Sequence, residues 1–270
     1  MNDLLWEPLI GVKSTDYVQT GTLSGTLPEL GAYSVPLYAI RSAAVPPGGG
    51  RISTNRPGYH QLYVGFELNL TKRMSNRWMA RLGLSTNSWT EHFDDPSVAI
   101  IDPTKAPAPD IPPRQFAGPQ VDGGAVVRFS SGSGQSEIYM VAPAYQLAAN
   151  GMYQARWGVS VGANLATRAG FAEPFFQSRV VTGDTLGRKT VLLARGEDDF
   201  RLPAVTSLDG RLEWKRTLAK TSLIVDVDVF NAFNASTVLG RLYDARFVGF
   251  DQPLEIMNPR TARLGFRLIF

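Results

Sequence analysis

The chain has no cysteine and only two histidines, His60 and His92, among 270 residues. The first absence excludes a disulfide scaffold, a cysteine zinc cluster and a thiol nucleophile. The second leaves little imidazole for acid–base or metal chemistry. Charge of one sign is also missing: 27 Lys and Arg against 24 Asp and Glu leave a formal +3, without the concentrated basic face that nucleic-acid binding needs. No run of about 18 apolar residues occurs, so no helix of the chain is predicted to span a membrane. The opening Met1-Asn-Asp-Leu-Leu-Trp-Glu-Pro8 lacks the basic and apolar regions of a signal peptide. Amphipathic helical periodicity is almost absent.

Period-two alternation takes its place, which is the strand signal. From 59 to 72, Leu62, Val64, Phe66, Leu68 and Leu70 share one face, opposite Gln61, Gly65, Glu67, Asn69 and Thr71. After the turn Arg73-Met74-Ser75-Asn76, Trp78, Ala80, Leu82 and Leu84 oppose Arg81, Gly83, Ser85 and Asn87. Over 138–153, Tyr139, Val141, Tyr145, Leu147 and Ala149 group opposite Gln146, Ala148 and Asn150. A turn at Gln154-Ala155-Arg156 leads to Trp157, Val159, Val161, Ala163 and Leu165, opposite Ser160, Gly162, Asn164 and Arg168. A third hairpin sets Leu208, Gly210, Leu212 and Trp214 against Asp209, Arg211 and Glu213. It returns through Leu223, Val225, Val227 and Val229, opposite Asp226, Asp228 and Phe230. A last strand places Leu264, Phe266, Leu268 and Phe270 opposite Arg263, Gly265 and Arg267.

Seven strands are therefore predicted, over 59–72, 77–89, 138–153, 157–170, 204–217, 221–233 and 261–270. They are longer than the usual globular strand of about 5–6 residues and match the roughly 9–11 that a tilted transmembrane strand requires. Three short turns alternate with long connections over 1–58, 90–137, 171–203 and 234–260, rich in Pro, Gly, Asp and Ser. Short periplasmic turns alternating with long extracellular loops are the pattern of bacterial outer-membrane barrels. Trp78, Trp157 and Trp214 each lie near a short turn with the apolar set, as a periplasmic aromatic girdle would; the other reading is three core tryptophans in a β-sandwich.

The fold expected is all-β, an antiparallel transmembrane barrel. With short turns periplasmic, the first and last strands both run downward. An antiparallel barrel with an even strand count then requires at least one upward strand before residue 1. The chain is therefore read as an incomplete barrel, with 1–58 an extracellular loop region following a missing strand and 59–270 the C-terminal barrel strands.

The closing Asn258-Pro-Arg-Thr-Ala-Arg-Leu-Gly-Phe-Arg-Leu-Ile-Phe270 resembles the last strand of TonB-dependent receptors. Asp228-Val-Phe-Asn-Ala-Phe-Asn234 is similar to that family's N-x-F-N end of the penultimate strand. Glu67-Leu-Asn-Leu-Thr-Lys-Arg-Met-Ser-Asn-Arg-Trp78 resembles a hairpin of its Oar-like branch, which carries an N-terminal carboxypeptidase-regulatory-like domain. The resemblance implies a 22-stranded outer-membrane barrel with an N-terminal plug, importing a ligand with energy delivered through TonB. It also implies that Leu264, Phe266, Leu268 and Phe270 form the signal read by the barrel-assembly machinery. The expected partners are outer-membrane lipid, that machinery, and TonB through a plug this sequence lacks. No nucleic acid and no cofactor is expected, and the ligand is unassigned.

Other functions find thinner support in the residues. His60 and His92, with Glu91, Asp94 and Asp95, supply elements of a metal or hydrolase site, or simply solvated residues at a loop base. Asp94, Asp95, Asp102, Asp110 and Glu197-Asp-Asp199 offer oxygen ligands, but their spacing fits no standard calcium loop. No nucleophile elbow, phosphate loop or His-Glu-x-x-His appears, and Gly48-Gly-Gly50 and Gly123-Gly124 lack a strand–helix context. No catalytic, cofactor or metal residues are assigned, and no enzymatic activity is expected. Asp226, Asp228, Arg263 and Arg267 fall on adjacent strands as a lumenal charged wall, which either lines a solute path or keeps a polar wall satisfied. Tyr17, Tyr33, Tyr38, Phe116, Phe171, Phe175, Phe176, Tyr243, Phe247 and Phe250 either contact a sugar or peptide or pack the loops together. The rival functions are a porin-like or adhesin barrel and a secreted β-sandwich that binds carbohydrate.

Overall fold

The computed structural model describes residues 4–8, 12–28, 30–45, 51–55, 59–94, 122–124, 128–129, 139–140, 144–172, 175–183, 188–193, 200–242 and 244–270. The protein is all-β, with three 3-10 turns and no α-helix among the described residues. The strands are β1 (Leu4–Pro8), β2 (Tyr17–Leu27), β3 (Gly31–Ile40), β4 (Arg51–Asn55), β5 (Tyr59–Ser75), β6 (Trp78–Phe93), β7 (Arg128–Phe129), β8 (Tyr139–Met140) and β9 (Tyr145–Gln154). They continue with β10 (Val159–Arg168), β11 (Phe176–Val180), β12 (Arg188–Leu192), β13 (Val205–Leu218), β14 (Thr221–Phe230), β15 (Val238–Arg241), β16 (Pro253–Ile256) and β17 (Thr261–Ile269).

Seven strands make one antiparallel sheet in the order β17-β14-β13-β10-β9-β6-β5, and β5 and β17 are its edges. These are the seven segments expected from alternation. The turns between hairpin partners are short, at 76–77, 155–158 and 219–220. Asn76 and Arg77 both sit at positive φ, 51° and 69°, the left-handed pair whose twist matches a two-residue hairpin.

Register unites the faces inferred strand by strand. Leu70 pairs with Leu82, Leu82 with Ala149, Ala149 with Leu165, and Leu165 with Leu208. Val161 pairs with Leu212, Leu212 with Val227, and Val227 with Leu264. Directly opposed residues project to the same side of a sheet, so all seven apolar sets lie on one face.

No described residue covers that face. Val64, Phe66, Leu212, Leu264 and Phe266 are 59%, 55%, 50%, 59% and 70% exposed. On the opposite face Asp226 and Asp228 are only 7% and 5% exposed. Ordinary water-soluble sheets bury the apolar side and solvate the polar one; here the apolar side stays open, and on β14 it is the polar side that is buried.

The hydrophobic core lies instead among the long connections. Leu23 and Leu27 of β2, Leu37 and Ala39 of β3, Phe175, Val181, Val191 and Leu193 form one buried cluster, with Phe200 and Phe250 packed against it. Phe175 meets Phe200 and Phe250 with ring centroids 5.7 and 5.5 Å apart. Val12, Tyr17 and Ile40 form a second cluster.

Several boundaries differ from expectation. The segment 138–153 is divided: Tyr139 lies in β8, which pairs with β7, and the large sheet resumes only at Tyr145. Trp157 does not begin β10. It occupies the preceding turn at φ 60°, so alternation does not assign it a face. The connections 1–58, 171–203 and 234–260 are not structureless either. They contain the pairs β1–β4 and β2–β3, β11–β12, and β15–β16 respectively.

Candidate functional site

On the polar face of the large sheet, the ion pairs among the described residues gather on β13, β14 and β17. Alternation puts Arg211, Glu213, Asp226, Asp228 and Arg263 on one side, and register sets Arg211 opposite Asp228, Glu213 opposite Asp226 and Asp228 opposite Arg263. Arg263 donates from Nε and Nη2 to Asp228 Oδ2, at 3.0 and 2.6 Å. Arg211 spans two strands. Its Nη1 lies 3.3 Å from Asp228 Oδ1, and its Nη2 lies 3.2 Å from Asp226 Oδ1 and 3.0 Å from Glu213 Oε2.

Two buried carboxylates thus share two guanidiniums, which offsets the cost of removing them from water. Gly265 leaves the room this needs, since a Cβ there would meet Asp226 Oδ2 at 2.6 Å. The expected set of Asp226, Asp228, Arg263 and Arg267 is brought together in part. Arg267 pairs in register with Ile224 and makes no ion pair among the described residues. Arg211 takes the central place that alternation alone did not give it.

The top of β14 is fixed by the N-x-F-N stretch. Asn231, 5% exposed and at φ 49°, donates from Nδ2 to the carbonyls of Ala235 and Asn258, at 2.9 and 2.7 Å. Its Oδ1 accepts from Ala235 N at 3.0 Å, and its own N–H donates to Asp209 Oδ1 at 2.9 Å. Asn234, at φ 53°, accepts Arg260 N on its Oδ1 at 2.9 Å. The two asparagines therefore bind the start of β17's approach to the end of β14. Beside them is a cavity of about 710 Å³, lined by Arg168, Ser207, Asp209, Phe230, Glu255 and Asn258 among others.

The closing strand is placed as expected. Leu264, Phe266 and Leu268 project with Val227, Val225 and Leu223, and Phe270 is 94% exposed. Among the tryptophans, Trp78 and Trp214 belong to the apolar face, opposite Tyr153 and Val225. Both stand beside a short turn, and Trp157 is 88% exposed within one.

His60 and His92 face each other across β5 and β6, rings stacked with centroids 5.2 Å apart. His92 Nε2 lies 2.9 Å from Thr90 Oγ1 and His92 Nδ1 lies 3.3 Å from Asp122 Oδ1. Asp122 was not singled out in the sequence; it ties the segment following β6 to that strand. Asp94 is exposed and unassociated with this group. Asp95 and the Glu91 side chain lie outside the described residues. Among the described residues no three His, Asp or Glu side chains form a metal-holding group.

Of the loop aromatics, Phe175 and Phe176 are buried, Phe250 and Tyr33 pack on the larger cluster, and Tyr17 and Tyr38 belong to the smaller one. Phe171 lies under the Arg168 guanidinium at 4.0 Å, and Phe247 under that of Arg246 at 4.6 Å. Packing accounts for most of this set. Phe116, Tyr243, Val141, Asp102, Asp110, Gly48-Gly-Gly50 and Glu197-Asp-Asp199 lie outside the described residues. No protein-family model matches the sequence, and no curated protein matches it significantly.

Proposed function

We propose that the seven-stranded sheet is the wall of an outer-membrane β-barrel of the TonB-dependent, Oar-like type, and that the complete protein takes up a ligand across the outer membrane. One observation carries this reading: no described residue covers the sheet's continuous apolar face, while the opposite face buries Asp226 and Asp228 in an ion-pair network. A lipid-facing exterior and a polar interior call for such an arrangement. The alternation of short turns with long, internally packed connections supports it too. So does the terminal strand ending Phe266-Arg-Leu-Ile-Phe270.

In this reading β5 and β17 are edges within a larger barrel. Both are first and last of an odd number of antiparallel strands, so they run in the same direction. All-antiparallel closure then needs an odd number of further strands between them. A second copy inserted in the same orientation supplies seven strands but meets both edges in parallel, so closure by two like-oriented copies is disfavoured.

The sandwich reading requires a layer over the apolar face, and no such layer is found among the described residues. Membrane fractionation tests the barrel: the protein should sediment with outer membranes and resist extraction at high pH. The genomic sequence 5′ of the Met1 codon tests the receptor, which requires an in-frame plug domain. A protein recovered in aqueous extracts without detergent would overturn both.

A further inference from the structure

The side chains at the short-turn end of the large sheet carry charge of one sign. Arg77 lies in the first turn with Arg73 just before it, Arg156 lies in the second, and Lys220 lies in the third with Lys215 and Arg216 just before it; all six are exposed. No Asp or Glu occurs in 71–78, 154–158, 214–222 or 264–270. The turns form one continuous surface. Gln154 N–H donates to Arg77 O at 2.7 Å, and Gly158 approaches the third hairpin so closely that a Cβ on it would lie 2.0 Å from Lys215 O.

None of the six basic groups makes an ion pair among the described residues. Toward the other end of the sheet, in the connection between β14 and β17, two cations are neutralised internally: Arg241 lies 3.2 Å from Asp251 and Arg246 lies 3.2 Å from Asp244. The unneutralised end also carries three of the five tryptophans, Trp78, Trp157 and Trp214. Trp157 projects from its turn, and Lys72 Nζ sits 4.0 Å over the Trp78 ring while donating to Ser75 Oγ at 2.7 Å. Indoles with a cation at one level are suited to a headgroup boundary, where one side is apolar and the other wet.

We propose that this end of the sheet docks on the phosphate groups of an anionic glycerophospholipid leaflet, with the six basic side chains as the binding surface and the tryptophans at the level above them. The proposal rests on the membrane-barrel reading. Charge complementarity selects the partner, because a surface with six basic side chains and no acidic one is repelled by itself and attracted by a layer of phosphates. Trp78 and Trp214 continue into the apolar face of the sheet, directly above the basic side chains, and an apolar slab over a charged layer is the arrangement lipid offers and an acidic protein does not.

The test uses the full chain with two vesicle compositions, phosphatidylcholine alone and phosphatidylcholine with phosphatidylglycerol at about seven to three. Partitioning is read by co-sedimentation at low and high salt. Each basic residue near an anionic surface is worth about fivefold in partitioning at low salt. The native chain should therefore favour the phosphatidylglycerol vesicles by at least about tenfold, and high salt should abolish the preference by screening. The variant R73Q/R77Q/R156Q/K220Q should lose the preference and keep its partitioning into phosphatidylcholine. Equal partitioning of the native chain into both vesicles overturns the docking proposal and leaves the barrel standing. Association with neither overturns both. Tighter capture by soluble polyglutamate than by phosphatidylglycerol vesicles assigns the surface to an acidic protein and overturns the lipid proposal.

Discussion

Arg263 donates two hydrogen bonds to a single oxygen of Asp228, from Nε at 3.0 Å and Nη2 at 2.6 Å, while the other Asp228 oxygen meets Arg211. The carboxylate is 7% exposed and the Arg263 side chain 63%. The two partners are therefore not equal: most of the burial cost falls on the aspartate. Truncating Arg263 leaves Arg211 to compensate Asp228, whereas truncating Asp228 removes the link between β14 and β17 and leaves two cations beside each other.

D228A is accordingly expected to cost about 2 kcal/mol and R263A about 1 kcal/mol or less, with discounts for the exposed guanidiniums. R267A, which removes no ion pair, should cost almost nothing. Urea unfolding of the three variants in one lipid or detergent system checks the order. An R267A as damaging as D228A would contradict the assignment of the network.

Asn231 combines a positive φ with three side-chain hydrogen bonds to two separate segments. N231A loses the bonds and strains the backbone, for a cost of about 2–3 kcal/mol. N231G relieves the strain and should recover part of the loss. Hydrogen exchange should show the effect in 235–258 and at the start of β17, with little change in β5 and β6.

Gly158 sits at φ 79° with Lys215 O occupying the place of a side chain. G158A should separate the second turn from the third and destabilise the chain by more than about 1 kcal/mol, the ordinary cost of losing a left-handed glycine. Gly21 of β2 has open space around its missing side chain, so G21A is the control and should leave stability nearly unchanged. Thermal unfolding of the pair distinguishes backbone strain from a general intolerance of glycine replacement.

Leu212 lies near the middle of the apolar face, between Val161 and Val227. If that face meets lipid, L212R costs about 2–4 kcal/mol in a bilayer, the range for a charge near the midplane. S160R, on the opposite face beside Glu213, should cost much less. Refolding yields and unfolding free energies in phosphatidylcholine vesicles measure both.

Strand identity, facing and turn length were legible because they depend on period-two alternation, and every strand of the large sheet carries it. The ion-pair network was legible only in part. Alternation gives the face of Arg211, Asp226 and Asp228 but not cross-strand register, and register decided that Arg211 stands between the two aspartates. Trp157 was misplaced for a related reason: a left-handed residue inside a turn breaks the alternation that precedes and follows it. The loop core was invisible, since Leu23, Leu37, Phe175 and Val191 are brought together from segments far apart in sequence. The pairing of Asp122 with His92 likewise had no local signal.

The central claim is that the sheet has lipid on its apolar face and a polar interior on the other. Spin labels placed singly along 207–214 of β13 test it most directly in reconstituted vesicles, by comparing collisions with oxygen and with a water-soluble nickel complex. The account predicts strict alternation, with labels at 208, 210, 212 and 214 reached by oxygen and labels at 207, 209, 211 and 213 reached from water or shielded by protein. Labels at 208, 210, 212 and 214 shielded from both reagents, in a chain that stays dissolved without detergent, would place a protein layer over the apolar face and contradict it.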